Sequence, residues 1–255
     1  MKGMGMQNHH HQFWRTPPGN WQLAENEVHI WRTSLDVPLA SVESLQAVLV
    51  DEEIARARRF YFAKDRQHWI VARATLRTLL GHYLNVAPQK LCFSCNEYGK
   101  PALLSPVAGQ RLHFNLSHSG DLALYAFAYD REVGVDVEQM RANVDYADLA
   151  THFFSAYECV ALRALPVECQ EEAFFLCWSR KEAYIKARGK GLSLPLDQFD
   201  VSLAPNEPAR LLGSREEPGA SERWSLSALF PGTGYAGALV VEGADWQLSC
   251  WQWQG

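Results

Sequence analysis

Val133-Gly134-Val135-Asp136-Val137-Glu138 carries valine at every second position and closes on two acids. A period of two marks a strand, with the three valines on one face and Asp136 and Glu138 on the other. Strand rise sets the two carboxylates about 7 Å apart. Such a pair repels itself unless a cation or a proton stands between its members. The segment therefore reads either as one edge of a site for a hard cation or as a half-exposed strand with a solvated acidic face.

Working outward, Arg111 to Leu116 and Leu122 to Tyr129 read as strands joined by Ser117-His118-Ser119-Gly120 as a tight hairpin. Val28 to Leu35 reads as an earlier strand, anchored by Trp31 and Leu35. Ser41 with Glu43 to Leu49 resembles a capped helix. A longer helical stretch follows from Asp51 to Leu84, broken near Lys64-Asp65, with Ile70, Leu76, Leu79, Leu80 and Tyr83 facing the core. Asn96 to Pro101 is a turn. Downstream, Thr151 to Leu165 and Glu171 to Arg188 are helical, with Pro166 between them. Pro205 to Glu222 reads as a surface loop. Trp224 to Leu229 and Gly237 to Glu242 form a strand–turn–strand that echoes the hairpin at Ser117. This mixed order predicts an α+β fold.

The chain has 255 residues, 47% hydrophobic and 21% charged, an ordinary globular composition. A net charge of −5 argues against a general nucleic-acid binder, so any polyanion site must be a local cluster of cations. No apolar run approaches the ~20 residues of a membrane span, and the start, MKGMGMQNHHHQFW, lacks the apolar core of a secretory signal. Residues 1–12, with His9 to His11, read as a flexible tail. The six cysteines read as reduced thiols of a cytoplasmic protein. Cys92 and Cys95 have CxxC spacing but no second pair.

Three more features carry chemistry. In Trp178-Ser179-Arg180-Lys181-Glu182-Ala183-Tyr184-Ile185-Lys186, Glu182 and Lys186 share a helix face with Trp178 one turn before. They read either as a surface ion pair or, given the aromatic flank from Phe174, as a partly buried acid serving as third metal ligand or general base. Phe114-Asn115-Leu116-Ser117-His118-Ser119-Gly120 offers a hydroxyl, an imidazole and turn amides that suit phosphate oxygens. A nucleophilic Ser117–His118–Asp121 set is disfavoured, because no GxSxG elbow exists. Arg56, Arg58, Arg59, Lys64 and Arg66 form the densest basic cluster. Two motifs are decoys. Gly232 to Gly237 matches GxGxxG but precedes a strand, so it is a hairpin turn, and Gly189-Lys190-Gly191 is a helix C-cap.

Read in order, these segments resemble the Sfp-type phosphopantetheinyl transferase family. The likeness rests on Arg58-Arg59-Phe60 ahead of Asp65, Gly99-Lys100-Pro101, Phe114 to Ser119, and Gly134 to Glu138. It continues through Phe153-Phe154-Ser155 with Glu158, Trp178 to Lys186, and Gly189-Lys190-Gly191-Leu192. It spans about Arg56 to Phe199. Two departures are Val137, where some relatives have a polar residue, and Trp69, where some carry a small polar residue near the adenine.

The resemblance implies two similar α+β halves in pseudo-two-fold relation, at residues 13–129 and 130–255, with the active site in the cleft between them. It implies transfer of the 4′-phosphopantetheine arm of coenzyme A to a serine of an apo acyl or peptidyl carrier protein of fatty-acid, polyketide or nonribosomal-peptide synthesis, with release of 3′,5′-ADP. Mg²⁺, or Mn²⁺ in its place, would sit on Asp136, Glu138 and Glu182. Arg56, Lys64, Lys100, Pro101, Ser117, His118 and Lys186 would bind coenzyme A. Glu182, directly or through metal-bound water, and Lys186 would be catalytic. The larger class with two recognisable halves is similar in length and monomeric. Nucleic acid and membrane are not expected partners. Two rival readings are another Mg²⁺-dependent coenzyme A or nucleotide phosphoryl enzyme and a catalytically dead carrier-binding protein.

Overall fold

A computed structural model describes residues 14–104, 111–142 and 144–254. The expected tail, residues 1–12, lies outside them. The first half runs β1 (Glu27–Ser34), α1 (Leu39–Gln46), α2 (Asp51–Ala57), α3 (Ala63–Leu84), β2 (Phe93–Cys95), β3 (Pro101–Leu103), β4 (Leu112–Ser119) and β5 (Leu122–Tyr129). The second runs β6 (Val133–Gln139), α4 (Tyr146–Phe153), α5 (Ala156–Ala164), α6 (Val167–Arg188), β7 (Phe199–Val201), β8 (Leu211–Ser214), α7 (Ala220–Arg223), β9 (Trp224–Leu229) and β10 (Tyr235–Glu242), and β11 (Gln247–Gln252) closes the chain.

The halves repeat one topology. In each, a strand leads into a 22-residue helix, α3 or α6, then a small two-stranded hairpin, then an antiparallel strand pair. The sheets take the matching orders β1-β5-β4 and β6-β10-β9, and β11 adds to the first by pairing parallel with β1. Apolar residues explain the layering. α3 buries Leu76, Leu79 and Leu80 against Trp31, Tyr125 and Phe127 of the first sheet. α6 buries Phe174, Tyr184 and Ile185 against Ala236, Ala238 and Val240 of the second. Between the sheets, Val133, Val135 and Val137 pack with Val28, Ile30, Leu124 and Leu239. The layers therefore run helix, sheet, sheet, helix, the α+β arrangement expected.

Local chemistry sets the ends. Asn85 stops α3 in the left-handed region (φ 51°) and Gly189 stops α6 there (φ 65°), so that glycine is the expected C-cap. Ser155 and Glu158 form a capping box that starts α5, splitting the expected helix from Thr151 to Leu165 into α4 and α5. Other boundaries also shift. The first helix begins at Leu39 after Pro38 with no side-chain cap, not at Ser41. The break in the long helix falls at residues 58–62, ahead of Lys64-Asp65. Ser119 ends a strand, which leaves Gly120 (φ 55°) and Asp121 as the turn. Pro205 to Glu222 is not all loop, since it holds β8 and most of α7. Gly232 and Gly234 do lie in the turn between β9 and β10.

One contact fixes how α6 lies on the second sheet. A Cβ added to Gly134 would stand 2.1 Å from the Ala183 carbonyl oxygen and 2.3 Å from the Ala187 nitrogen, both helix backbone. Neither atom belongs to a flexible side chain, so the helix itself would have to move. Gly134→Ala is expected to lower stability by about 3 kcal/mol or more, read as a denaturant midpoint with unchanged slope. Gly213→Ala, where the added carbon meets nothing within 4 Å, is the control and should be close to neutral.

Candidate active site

β4 and β6 are edge strands of different sheets, and side chains join them. Alternate residues of β4 point at β6, as period two requires. Asn115 Oδ1 accepts the Val135 amide at 2.9 Å, the Ser117 hydroxyl donates to Asp136 Oδ1 at 2.8 Å, and the Ser119 hydroxyl donates to Glu138 Oε2 at 2.9 Å. Ser119 Oγ also accepts from the Gln139 amide. The seam thus holds both strand carboxylates in place, and Asp136 is only 2% exposed.

Helix α6 covers the same face of β6. Its opposite side is clamped by a buried ion pair. Lys181 Nζ lies 2.7 Å from Glu158 Oε2, both side chains fully buried, and also donates to the Leu196 and Phe199 carbonyls. Glu158 accepts from the Val201 amide as well. With Lys181 turned inward, Lys186 reaches the seam, where its ammonium donates to Asp136 Oδ1 at 2.6 Å and to Ser117 Oγ at 2.9 Å. The other oxygen of Asp136, Oδ2, is buried without a hydrogen-bond partner.

The three acids predicted to act together feel one another. Burial first, then the Asp136 charge, pushes Glu138 up to about 7. The same two causes raise Glu182, with Lys186 opposing them. Among the described residues, however, no group of three or more His, Cys, Asp or Glu side chains lies close enough to hold a metal ion as they stand. The expected meeting of Asp136, Glu138 and Glu182 is electrostatic here, with Lys186 against Asp136. Three acids, one of them with an orphaned carboxylate oxygen, still suit a hard divalent cation, which prefers oxygen donors, while the Lys186 ammonium now offsets part of their charge.

Beside this seam opens a cavity of about 800 Å³, lined by Arg56, Lys64, His68, Trp69, His118, Gln139 and Arg141 among others. Burial, then Lys186 and His68, lowers the pKa of His118, which links the cavity electrically to the lysine on the seam. Lys64 is 2.8 Å from Asp121, and the hydrogen bond from Lys64 holds that carboxyl below its ordinary value. Arg56 stands over the Trp69 ring at 5.8 Å. Arg56, Lys64 and His118 therefore line one cavity. His68, Gln139 and Arg141 were not foreseen. His68 follows Lys64 by one helical turn, a spacing that could have exposed it.

Lys100 and Pro101 lie elsewhere. They line a separate cavity of about 320 Å³ with Asn96, His113 and Glu132. Lys100 Nζ is 2.7 Å from Glu132 and donates to the Val133 and Ala187 carbonyls, tying the start of β6 to the end of α6. The disfavoured hydrolase set is not assembled, because Ser117 donates to Asp136 and Asp121 pairs with Lys64. Cys92 and Cys95 are free thiols on the surface. No described helix is long and apolar enough to cross a membrane.

The chain thus presents two α+β halves that repeat one topology, with acids and a lysine on the seam between them. Comparison with known proteins makes the class specific. Residues 29–129 match the family model described as 4′-phosphopantetheinyl transferase, N-terminal, and residues 132–240 match the 4′-phosphopantetheinyl transferase superfamily model. The chain belongs to the 4′-phosphopantetheinyl transferase superfamily, and its activity is phosphopantetheinyl transfer. It is 40% identical to 4′-phosphopantetheinyl transferase HetI of Nostoc sp. over 94% of this chain and 98% of that protein. It is 34% identical to 4′-phosphopantetheinyl transferase Sfp of Bacillus subtilis over 68% of this chain and 76% of that one. Identity is also 34% to 4′-phosphopantetheinyl transferase psf-1 of Bacillus pumilus, over 74% and 79% of the two chains.

Proposed function

We propose that the chain takes the 4′-phosphopantetheine arm from coenzyme A and places it on a serine of an apo acyl or peptidyl carrier protein, releasing 3′,5′-ADP. The observation that carries this reading is the seam. Lys186 bonds to both Asp136 and Ser117 among three mutually coupled acids, beside a basic cavity large enough for a nucleotide. A monomer in a reducing, cytoplasmic setting is part of this proposal, and the six free thiols support that setting. The division into halves at residues 13–129 and 130–255 belongs to the same proposal.

Phosphoryl transfer depends mostly on positioning and charge. Arg56, Lys64 and His118 would take phosphates of coenzyme A, with the 3′-phosphate on His118. Ser117 would share those phosphates, Lys186 would contact the pyrophosphate, and Arg56 and Lys64 would also reach the nucleotide end, whereas Lys100 and Pro101, expected among the phosphate contacts, line the separate cavity. Asp136, Glu138 and Glu182 would hold Mg²⁺ or Mn²⁺, which when bound supplies positive charge against the pyrophosphate. The carrier serine oxygen attacks the phosphorus that bears the pantetheine arm. That phosphorus–oxygen bond forms as the bond to the ADP oxygen breaks. Glu182, kept basic by burial, accepts the serine proton. Lys186 neutralises and protonates the departing oxygen.

Asp136→Ala and Glu182→Gln are each expected to keep the wild-type circular dichroism spectrum and to lower carrier loading by roughly 100-fold or more, measured as the intact mass of the carrier. Loading at the wild-type rate by either variant would remove the assignment. His118→Ala is expected to weaken coenzyme A binding more than binding of 3′-dephospho-coenzyme A in calorimetric titrations. Equal losses would contradict a 3′-phosphate contact.

A further inference from the structure

Helix α6 of the second half ends against the first. The turn between β2 and β3, residues 96–100, is closed by its own bonds. Asn96 Oδ1 accepts the Tyr98 and Lys100 amides at 3.0 and 2.8 Å, the Asn96 amide donates to the Lys100 carbonyl, and Gly99 takes the left-handed region (φ 86°). The donors that the turn leaves over reach α6. Asn96 Nδ2 donates to the Gly189 carbonyl at 2.6 Å, and Lys100 Nζ to the Ala187 carbonyl at 3.1 Å. Carbonyls at a helix C-terminus lack partners within the helix, and that end carries partial negative charge, so an amide donor and an ammonium both suit it. A Cβ added to Gly189 would stand 3.1 Å from Asn96 Nδ2 and 3.2 Å from Lys100 Cδ, which shows how closely the turn is seated.

Lys100 makes two further bonds. Its Nζ donates to Glu132 Oε2 at 2.7 Å and to the Val133 carbonyl at 3.3 Å. Burial pushes the Glu132 carboxyl up, but His113 and Lys100 outweigh it and hold that group well below its ordinary value, so the ammonium faces a charged partner. An ammonium has three donors, and Glu132, Val133 and Ala187 take all three. With its side chain only 16% exposed, Lys100 has no donor left for a phosphate. The two carbonyls it joins flank the place where strand and helix lie closest, Gly134 against Ala183 and Ala187. The residue before Ala187 is Lys186.

We infer that Asn96 and Lys100 form a latch that holds Lys186 at its distance from Asp136 and Ser117, and that Lys100 is a positioning residue for the transfer and not a ligand of coenzyme A. The inference rests on the transfer reading above and assigns these two residues a part in it. Without the latch the last turn of α6 lifts from β6 and carries Lys186 off its 2.6 Å bond to Asp136. Misplacement by about 1 Å is enough to slow a reaction that depends on position. Because Lys186 acts on charge that develops at the departing oxygen, the loss falls on the rate at saturation more than on coenzyme A binding.

The test is steady-state loading by the full chain, varying coenzyme A at saturating apo-carrier, for wild type, Lys100→Met, Asn96→Asp, Lys186→Ala and Lys100→Met/Lys186→Ala. Lys100→Met removes the three donors and leaves Glu132 its His113 partner. It is expected to lower kcat roughly 10- to 100-fold with the KM for coenzyme A within about threefold. Asn96→Asp keeps the acceptor that closes the turn and loses the donor to Gly189, and should lower kcat several-fold in the same pattern. In the Lys186→Ala background Lys100→Met should cost less than about twofold more, because the two act as one unit. A tenfold rise in the KM for coenzyme A at unchanged kcat would overturn the latch in favour of a phosphate contact. Losses that multiply in the double variant would overturn it too, since Lys100 would then act apart from Lys186. If Lys100→Met loses the wild-type circular dichroism spectrum, Asn96→Asp decides, and an unchanged kcat in that folded variant overturns the latch. Each of these results leaves the transfer reading standing, whereas failure of the wild-type chain to load any carrier would overturn that reading and the latch's role with it.

Discussion

The site depends on two strand edges that meet through side chains instead of backbone bonds. Asn115, Ser117 and Ser119 occupy one face of β4, and each finds a partner on β6. Hydrogen bonds of this kind are strong where water is excluded, and each buried group left without a partner would be costly. The seam therefore performs two tasks at once. It joins the halves of the molecule, and it fixes Asp136 and Glu138 as acceptors at one place. Gly134 completes the arrangement on the same face of β6, because only a residue without Cβ lets α6 lie so close to the strand.

A concentration of negative charge follows from that geometry. Burial raises Glu138 and Glu182, and the Asp136 charge raises both further. Lys186 offsets part of it from the last turn of α6. The remaining imbalance suits an added cation. The cavity next door is basic on balance, with Arg56, Lys64 and Arg141 on its walls against Asp65 and Asp121. The Glu158–Lys181 pair contributes by clamping the far side of α6, so that the helix cannot rotate and carry Lys186 off the seam.

The strand from Val133 to Glu138 was readable because period two and a valine face leave a single orientation, and the structure shows that orientation. The helix from Phe174 to Lys186 was readable because its aromatic half could belong only in a core. The α+β class followed from element order. What stayed hidden depends on contacts between distant segments. Nothing local in Lys100 says that it will bind Glu132 and two carbonyls instead of facing the cavity of His118. Asn115 and Ser119 stood in a segment singled out for phosphate contacts, but their alternation with Ser117 as the pattern of the seam was not read from it. β8 lay within a stretch whose Pro and Gly content suggested only loop. β11 joins the first sheet from the far end of the chain, a pairing that no local pattern encodes.

The central claim is that Asp136, Glu138 and Glu182 share one electrostatic environment across the seam. Carboxyl carbon NMR of the metal-free protein through a pH titration reads it directly. Glu138 is expected to titrate at about 7 and to move downward in Asp136→Asn and in Glu182→Gln, since each removes a repelling charge. Titration of Glu138 in the ordinary range for a glutamate, near 4.3, or at one unmoved value in all three proteins, would contradict the account.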